Sequence, residues 1–343
     1  MDESELIRRY FAPLGAKRSD VSLGIGDDAA LLAVPVGCEL VMTTDVLVEG
    51  VHFLPGAPAR SLGHRALAVN LSDIAAMGAS PSWMLLSLIL PQAQEGWLAE
   101  FCAGLAPLAE RHAVALVGGN LSRGPLSITV ELAGLVPAGQ ALRRAGASPG
   151  EALYVSGTPG DAAAGRRLAH DTGAQAHAAA GQATEGADPP SQDADRSALV
   201  ARFEYPTPRV ALGAALRGLA SACIDVSDGL YIDAGRMLGA SGCAARIDTA
   251  LLPISQPLCA FAAQAGWSAE YTQQLVLSGG EDYELCFCAA PERESALHAL
   301  AATLGERITR IGAVTAGAGV CLTSSNPASA PLLEGATFDH FGR

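Results

Sequence analysis

Thr43-Thr44-Asp45-Val46-Leu47-Val48-Glu49-Gly50-Val51-His52-Phe53 decides how the first half of the chain is read. The β-rich residues Glu39–Thr44 predict a strand that ends at Asp45, so a carboxylate leaves a rigid element beside two threonine hydroxyls. His52 lies just beyond it. Downstream, Ser61–Met77 predicts a helix, with Ser61 as its N-cap and Gly78 as its stop. Asn70 and Asp73 stand three apart on that helix and share a face near Ala66, Ala76 and Met77. A carboxylate on the inward side of an Ala-rich helix is costly unless it is paired or binds a metal. Trp83–Leu90 and Ile128–Val136 predict strands, the second alternating Ile128, Val130 and Leu132 on one face. Between them Glu95–His112 carries Trp97, Leu98, Phe101, Leu105 and Leu108 at helical spacing. A strand over Ala113–Val117 then runs into a glycine turn, Gly118-Gly119-Asn120. Upstream, the apolar run Val21–Leu32 is interrupted by Gly24, Gly26 and Asp27-Asp28.

A boundary falls near Pro137–Gly150, rich in Ala, Gly and Pro. It separates an N-terminal α/β domain over 1–140 from a C-terminal α/β domain over 150–343. The second domain opens with a strand, Ala152–Ser156, and a turn, Gly157-Thr158-Pro159-Gly160-Asp161. The stretch Ala174–Asp195 has no hydrophobic periodicity and predicts a flexible surface insertion without chemistry. Structure resumes at Tyr205–Arg209, with a helix to about Leu219, a strand at Ala222–Val226, a helix from Asp228, and strands at Leu285–Cys288 and Arg307–Val314. Helices and strands alternate in both halves, so the fold class is α/β with mixed sheets.

The chain has 343 residues, 22 Lys+Arg and 35 Asp+Glu, a formal charge of −13. Half of the residues are hydrophobic, which excludes global disorder. The acidic balance argues against nucleic-acid binding, which needs a cationic face. The most apolar run, Trp83–Leu90, is far short of the roughly 18–20 residues of a spanning helix. The N-terminus, Met1-Asp2-Glu3-Ser4-Glu5, lacks the basic and apolar regions of a signal peptide. Eight scattered cysteines form no CxxC, and Cys286 and Cys288 share one face of a strand. Reduced thiols and no membrane segment predict a cytoplasmic protein.

Carboxylates recur beside glycine at the ends of apolar strands: Gly26-Asp27-Asp28, Thr43-Thr44-Asp45, Asp225-Val226-Ser227-Asp228-Gly229 and Gly279-Gly280-Glu281-Asp282. Such positions suit hard cations, which want oxygen ligands. Ordinary turn chemistry competes at each one, and Asp228 is also an N-cap candidate. Backbone N–H groups at Gly118–Asn120 and Gly157–Gly160 can approach phosphate closely, although tight turns alone would also explain them. No GxxxxGK[ST], GxSxG or HExxH occurs, so P-loop, serine-hydrolase and zincin chemistry have no starting point.

Taken in order, these motifs resemble the thiamine-monophosphate kinase family. The resemblance rests on Gly26–Ala30, Thr43–Phe53, Asn70-Leu71-Ser72-Asp73-Ile74-Ala75-Ala76-Met77-Gly78-Ala79, Gly118–Asn120, Arg144-Ala145-Gly146-Ala147, Ser156–Asp161, Asp225–Leu230, Ser278–Leu285 and Phe338-Asp339-His340-Phe341. It spans nearly the whole chain except Ala174–Asp195. It implies ATP-dependent phosphorylation of thiamine monophosphate to thiamine diphosphate, assisted by several Mg²⁺ ions. It also implies the two-domain fold of aminoimidazole-ribonucleotide synthetase, in a homodimer whose core is built from N-terminal strands. Carried over by position, Asp28, Thr43, Thr44, Asp45, Asp73, Asn120, Asp225 and Asp228 would bind magnesium. Gly119, Asn120, Arg144 and Ser227 would contact ATP, and His52, Glu281 and Phe338 the thiamine substrate. The metal-bound Asp45, Asp73 and Asp225 would act electrostatically, with no general base. Asn120 stands where many members carry Asp, Phe338 where some carry Trp, and Cys102 where the family often has Tyr. Two other readings stay open: a sister activity on the same fold, and a nucleotide-binding maturation protein without turnover.

Overall fold

The computed structural model describes residues 2–178 and 190–324, and side chains outside 171–178 and 190–193. The chain divides into two compact units, Met1–Ala141 and Leu142–Arg343.

The first unit opens with a one-turn helix, α1 (Glu3–Leu6), capped by the Asp2 carboxylate, which accepts from the Glu5 N–H at 2.8 Å. A short antiparallel pair follows, β1 (Val21–Leu23) and β2 (Leu31–Leu32). Then come β3 (Cys38–Val48), α2 (Ala59–Ala76), β4 (Ser80–Leu90), α3 (Glu95–Arg111), β5 (Ala115–Arg123) and β6 (Ser127–Pro137). They build a four-stranded sheet in the order β3-β6-β4-β5, in which β6 is antiparallel to β3 and β4, and β4 is parallel to β5.

The expected alternation on β6 is present: Ile128, Val130 and Leu132 are fully buried. They face the side covered by α2, whose Leu62, Leu67, Leu71 and Ile74 are also buried. Nearly every α2 residue is inside, which explains its Ala-rich composition: small side chains let a helix pack closely on all sides. The other sheet face leaves Leu40, Met42 and Val46 exposed.

Three local expectations change. β3 does not end at Asp45 but continues to Val48, because its ladder with β6 runs unbroken from Cys38 to Val48. Gly118-Gly119-Asn120 is not a turn; it lies inside β5, in parallel register with Leu85, Leu86 and Ser87 of β4. Ser61 is buried within α2, and Pro58 stands at the N-cap position without a side-chain capping bond. Gly78 does stop α2, with φ 65.

The second unit contains β7 (Ala152–Ser156), α4 (Asp161–Ala178), α5 (Pro190–Glu204), α6 (Val210–Ala215), β8 (Ala222–Val226), α7 (Leu230–Ala240), β9 (Ala244–Asp248), α8 (Gln256–Ala265), α9 (Ala269–Ser278), β10 (Glu284–Ala289), α10 (Glu294–Leu304), β11 (Ile308–Thr315) and β12 (Gly319–Thr323). Its six strands run in the order β12-β9-β11-β7-β10-β8. All neighbours are antiparallel except β9 and β12. Strands β7 and β10, inside the sheet, and β8, at its edge, are buried along their whole length. Cys286 and Cys288 sit together in the core against β8 and α7 residues, where burial pushes the Cys288 thiol up to about 12. The stretch expected as an irregular insertion is helical at both ends: α4 continues to Ala178 and α5 begins at Pro190. Residues 179–189 lie outside the described residues.

Candidate active site

In the first unit, the extension of β3 decides where its functional side chains point. Successive strand residues alternate between faces, so Thr43 and Asp45 share the side of buried Leu47, whereas Thr44 stands with exposed Met42 and Val46. Thr43 Oγ1 donates to Asp73 Oδ2 at 2.5 Å, which joins β3 to α2. Asp73 is therefore half-buried and paired, on the inward side of the helix as its spacing requires. Beyond β3 the chain turns sharply, with the His52 N–H donating to the Val48 carbonyl at 2.9 Å. His52 Nδ1 in turn accepts from the Val48 N–H at 3.1 Å. That bond leaves the ring proton at Nε2 and holds the imidazole in one tautomer.

A cavity of about 1230 Å³ lies along this unit, bordered by Asp27, Asp28, Gly119, Asn120, Met42 and Glu131. It brings Asp28, Gly119 and Asn120 to one surface; Thr43, Asp45 and Asp73 do not line it. Asp28 is exposed, and its N–H donates to Asp27 Oδ1 at 2.8 Å. Gly119 has φ 151, and a Cβ there would sit 1.9 Å from the Leu86 carbonyl oxygen. β5 thus approaches β4 at a distance only glycine permits.

In the second unit, β8 delivers Asp225, which is 5% exposed, to a loop over Ser227–Gly229. The Glu281 N–H donates to the Ser227 carbonyl at 2.7 Å, and the Tyr283 N–H to Val226 at 2.8 Å. The loop bearing Asp225 and Asp228 is thereby fastened to the one bearing Glu281. Glu281 and Tyr283 both adopt left-handed backbone, at φ 65 and 52, a strained conformation for side-chain-bearing residues that local bonding must hold. The Tyr283 hydroxyl also donates to Glu281 Oε2 at 3.1 Å. Arg144 is exposed, and its carbonyl accepts from Ser241 Oγ at 3.1 Å.

Asp228 is not the N-cap of α7. Gly229 holds that position, with φ 125 and no side-chain bond. The acceptor is Asp233, one turn inside the helix, whose buried Oδ2 takes N–H bonds from Ser227, Asp228 and Gly229 at 3.1, 2.9 and 3.1 Å. Asp233 escaped the sequence reading. Its only signal is an acid four residues after a glycine that opens a helix.

Glu284 escaped as well. It is fully buried, receiving two bonds from Arg209 at 2.6 Å and one from Arg202 at 2.9 Å. Ser156 Oγ donates to it at 2.6 Å. Burial alone would raise its carboxyl, but the Arg209 bonds and charge, with Arg202, hold it below its usual range. Asp282 is the opposite case. Burial raises its carboxyl well above the usual range, with one bond from the Gly160 N–H at 2.9 Å opposing. Its Oδ2 is buried without a hydrogen-bond partner. Phe338 lies outside the described residues.

Every donor expected for magnesium is a carboxylate, hydroxyl or amide oxygen, the chemistry a hard cation requires. Among the described residues, no three His, Cys, Asp or Glu side chains converge on one point. Mg²⁺ is ordinarily held by one or two carboxylates together with substrate phosphates, so these sparse donors fit an ion that arrives with a nucleotide.

Two family models match the chain: AIR synthase related protein, N-terminal domain, over residues 26–136, and the corresponding C-terminal domain over 148–323. Over 341 residues it is 44% identical to the thiamine-monophosphate kinase of Escherichia coli strain K12, covering 99% of this chain and 98% of that one. The chain belongs to the thiamine-monophosphate kinase family. The crystal structure of the family member from Stenotrophomonas maltophilia K279a is similar at a TM-score of 0.79 and 44% identity, over 89% of this chain and 92% of that one. AaThiL complexed with AMPPCP and TMP is similar at a TM-score of 0.72 and 33% identity, over 88% and 90%. The two-domain mixed α/β fold implied by the sequence resemblance is the fold observed.

Proposed function

We propose that this chain transfers the γ-phosphoryl group of ATP to the phosphate of thiamine monophosphate, giving thiamine diphosphate and ADP. The observation that carries this reading is the family likeness, which runs through nearly the entire chain and includes a relative bound to AMPPCP and TMP.

The acceptor is a phosphate monoester whose second pKa is about 6, so it is mostly dianionic at neutral pH and needs no general base. One bond forms between an acceptor oxygen and the γ-phosphorus, and the bond to the ADP oxygen breaks. The difficulty is to hold two polyanions in line. Asp28, Thr43, Thr44, Asp45, Asp73 and Asn120 in the first unit, and Asp225 and Asp228 in the second, would hold magnesium. When bound, Mg²⁺ supplies charge neutralisation across the phosphates. Gly119, Asn120, Arg144 and Ser227 would contact ATP. His52, Glu281 and Phe338 would orient the thiamine substrate, His52 through the Nε2–H that its bond to Val48 leaves in place.

The exposed apolar sheet face of the first unit, with Leu40, Met42 and Val46, supports a homodimer built from N-terminal strands. No helix among the described residues is long and apolar enough to cross a membrane, and the cysteines are free thiols, which supports a cytoplasmic setting. The acidic charge of −13 speaks against nucleic acid as a partner.

Incubation with ATP, Mg²⁺ and thiamine monophosphate, followed by chromatography, tests the reading. Thiamine diphosphate should form and should vanish when the metal is chelated. No product with Mg²⁺ present would overturn the assignment.

A further inference from the structure

Asp228 has a cationic partner already. Arg236, on α7, donates through Nη1 to Asp228 Oδ2 and, at 2.9 Å, to Asp233 Oδ1. The three side chains form a relay whose exposure falls from the outside inward. Arg236 is 45% exposed, Asp228 31% and Asp233 1%. Asp233 is locked from the other side by the three loop N–H groups that meet its Oδ2. One buried carboxylate therefore fixes both the loop backbone and the guanidinium that reaches the loop's outward carboxylate.

The guanidinium stands at Asp228 as a cation would. It engages Asp228 Oδ2, and a divalent ion drawn to that oxygen would meet a like charge. An arginine cannot lose its charge to make room, since it stays protonated at any working pH. It can only swing away, and at its exposure the side chain has space to do so.

We propose that Arg236 is a positioning residue that occupies Asp228 when no metal is present and is displaced from it when a divalent cation is coordinated there. Asp233 keeps the released guanidinium tethered beside the loop. This rests on the metal-assisted reading above. The arrangement prevents the loop from carrying an uncompensated carboxylate between turnovers. It also sets a threshold: the ion must outcompete a built-in cation. An exposed ion pair of this kind is worth at most about a fivefold change in an equilibrium constant, so the threshold is modest.

The test is a double-mutant cycle on the full chain, with a non-hydrolysable ATP analogue present and thiamine monophosphate absent, reading Mn²⁺ binding to the protein by electron paramagnetic resonance. Arg236→Gln should tighten Mn²⁺ binding about three- to fivefold, with the melting temperature near that of the unmodified protein. Arg236→Lys should restore much of the competition. In an Asp228→Asn background the same Arg236→Gln change should do little, because the carboxylate contested by the two cations is gone. Unchanged or weaker binding in Arg236→Gln would overturn the proposal. So would equal tightening in both backgrounds, which would report only the general loss of a positive charge. Absence of Mn²⁺ binding to the unmodified chain at millimolar metal would also overturn it. Turnover of thiamine monophosphate is measured separately, so failure of the functional reading is distinguishable from failure of this one.

Discussion

The Thr43 hydroxyl and the Asp73 carboxylate are 2.5 Å apart and tie β3 to α2. A hydroxyl that donates to one carboxylate oxygen fixes the orientation of that group. Thr43→Val keeps the shape and deletes the bond. Loss of an outer partner of this kind costs about 10–100-fold in metal affinity or activity. We expect kcat/KM to fall within that range, with the Mg²⁺ concentration for half-maximal rate rising. Unchanged Mg²⁺ dependence would remove Thr43 from the metal site.

His52 is held by Val48 in a tautomer that presents Nε2–H. Its expected work is to orient the acceptor. His52→Asn should raise KM for thiamine monophosphate by about tenfold, or roughly 1.4 kcal/mol, with kcat within a few-fold. Both limbs of the pH–rate profile should persist. Disappearance of a limb would instead assign acid–base work to the imidazole.

Glu284 and Asp282 respond to pH in opposite directions. The Glu284 carboxyl is depressed on folding, so its stabilisation is present above the unfolded value of about 4.3 and is lost as pH falls through the folded one. Glu284→Gln removes the buried anion shared by Arg202 and Arg209, leaving Arg209 with Glu306 alone, and should cost about 3 kcal/mol near neutrality, with the acid-side dependence flattened. The Asp282 carboxyl is raised. Its contribution is complete below about 3.9 and declines as pH rises. Asp282→Asn should therefore gain stability at pH 8 relative to the unmodified protein and gain little at pH 4. Urea unfolding at the two pH values checks both, and a gain at pH 4 equal to that at pH 8 would refute the assignment to Asp282.

Gly119→Ala places a methyl 1.9 Å from the Leu86 carbonyl oxygen. Backbone must move, since neither atom can rotate away. Overpacking of this kind costs about 1–3 kcal/mol. Because Gly119 borders the same cavity as Asp28 and Asn120, nucleotide binding should weaken together with thermal stability. Normal nucleotide affinity in a folded Gly119→Ala protein would separate the glycine from the site.

Long periodic elements were legible in advance. The helix over Glu95–His112 and the strands at Ala152–Ser156 and Ala222–Val226 agree with the observed Glu95–Arg111, Ala152–Ser156 and Ala222–Val226 to within a residue. Their hydrophobic spacing is a local property. The glycine pair at Gly118-Gly119 misled, because two glycines look alike whether they open a turn or let two strands approach. The end of β3 misled for a related reason: the polar Thr43-Thr44-Asp45 interrupts the apolar pattern, while the ladder with β6 carries the strand onward to Val48. The Ala174–Asp195 stretch lacks an apolar stripe, yet α4 and α5 enter it from both sides.

By itself the sequence determined the mixed α/β class, the run of carboxylates beside glycines and the family likeness, since each depends only on which residues follow one another. The tertiary structure decided which of those carboxylates are partnered, and by what. Asp73 meets Thr43 across 30 residues, and Glu284 meets Arg209 across 75. Asp228 shares Arg236 with Asp233. An acid's charge is written in its residue type, but its electrostatic role depends on burial and on distances to groups far along the chain, which only folding brings within reach.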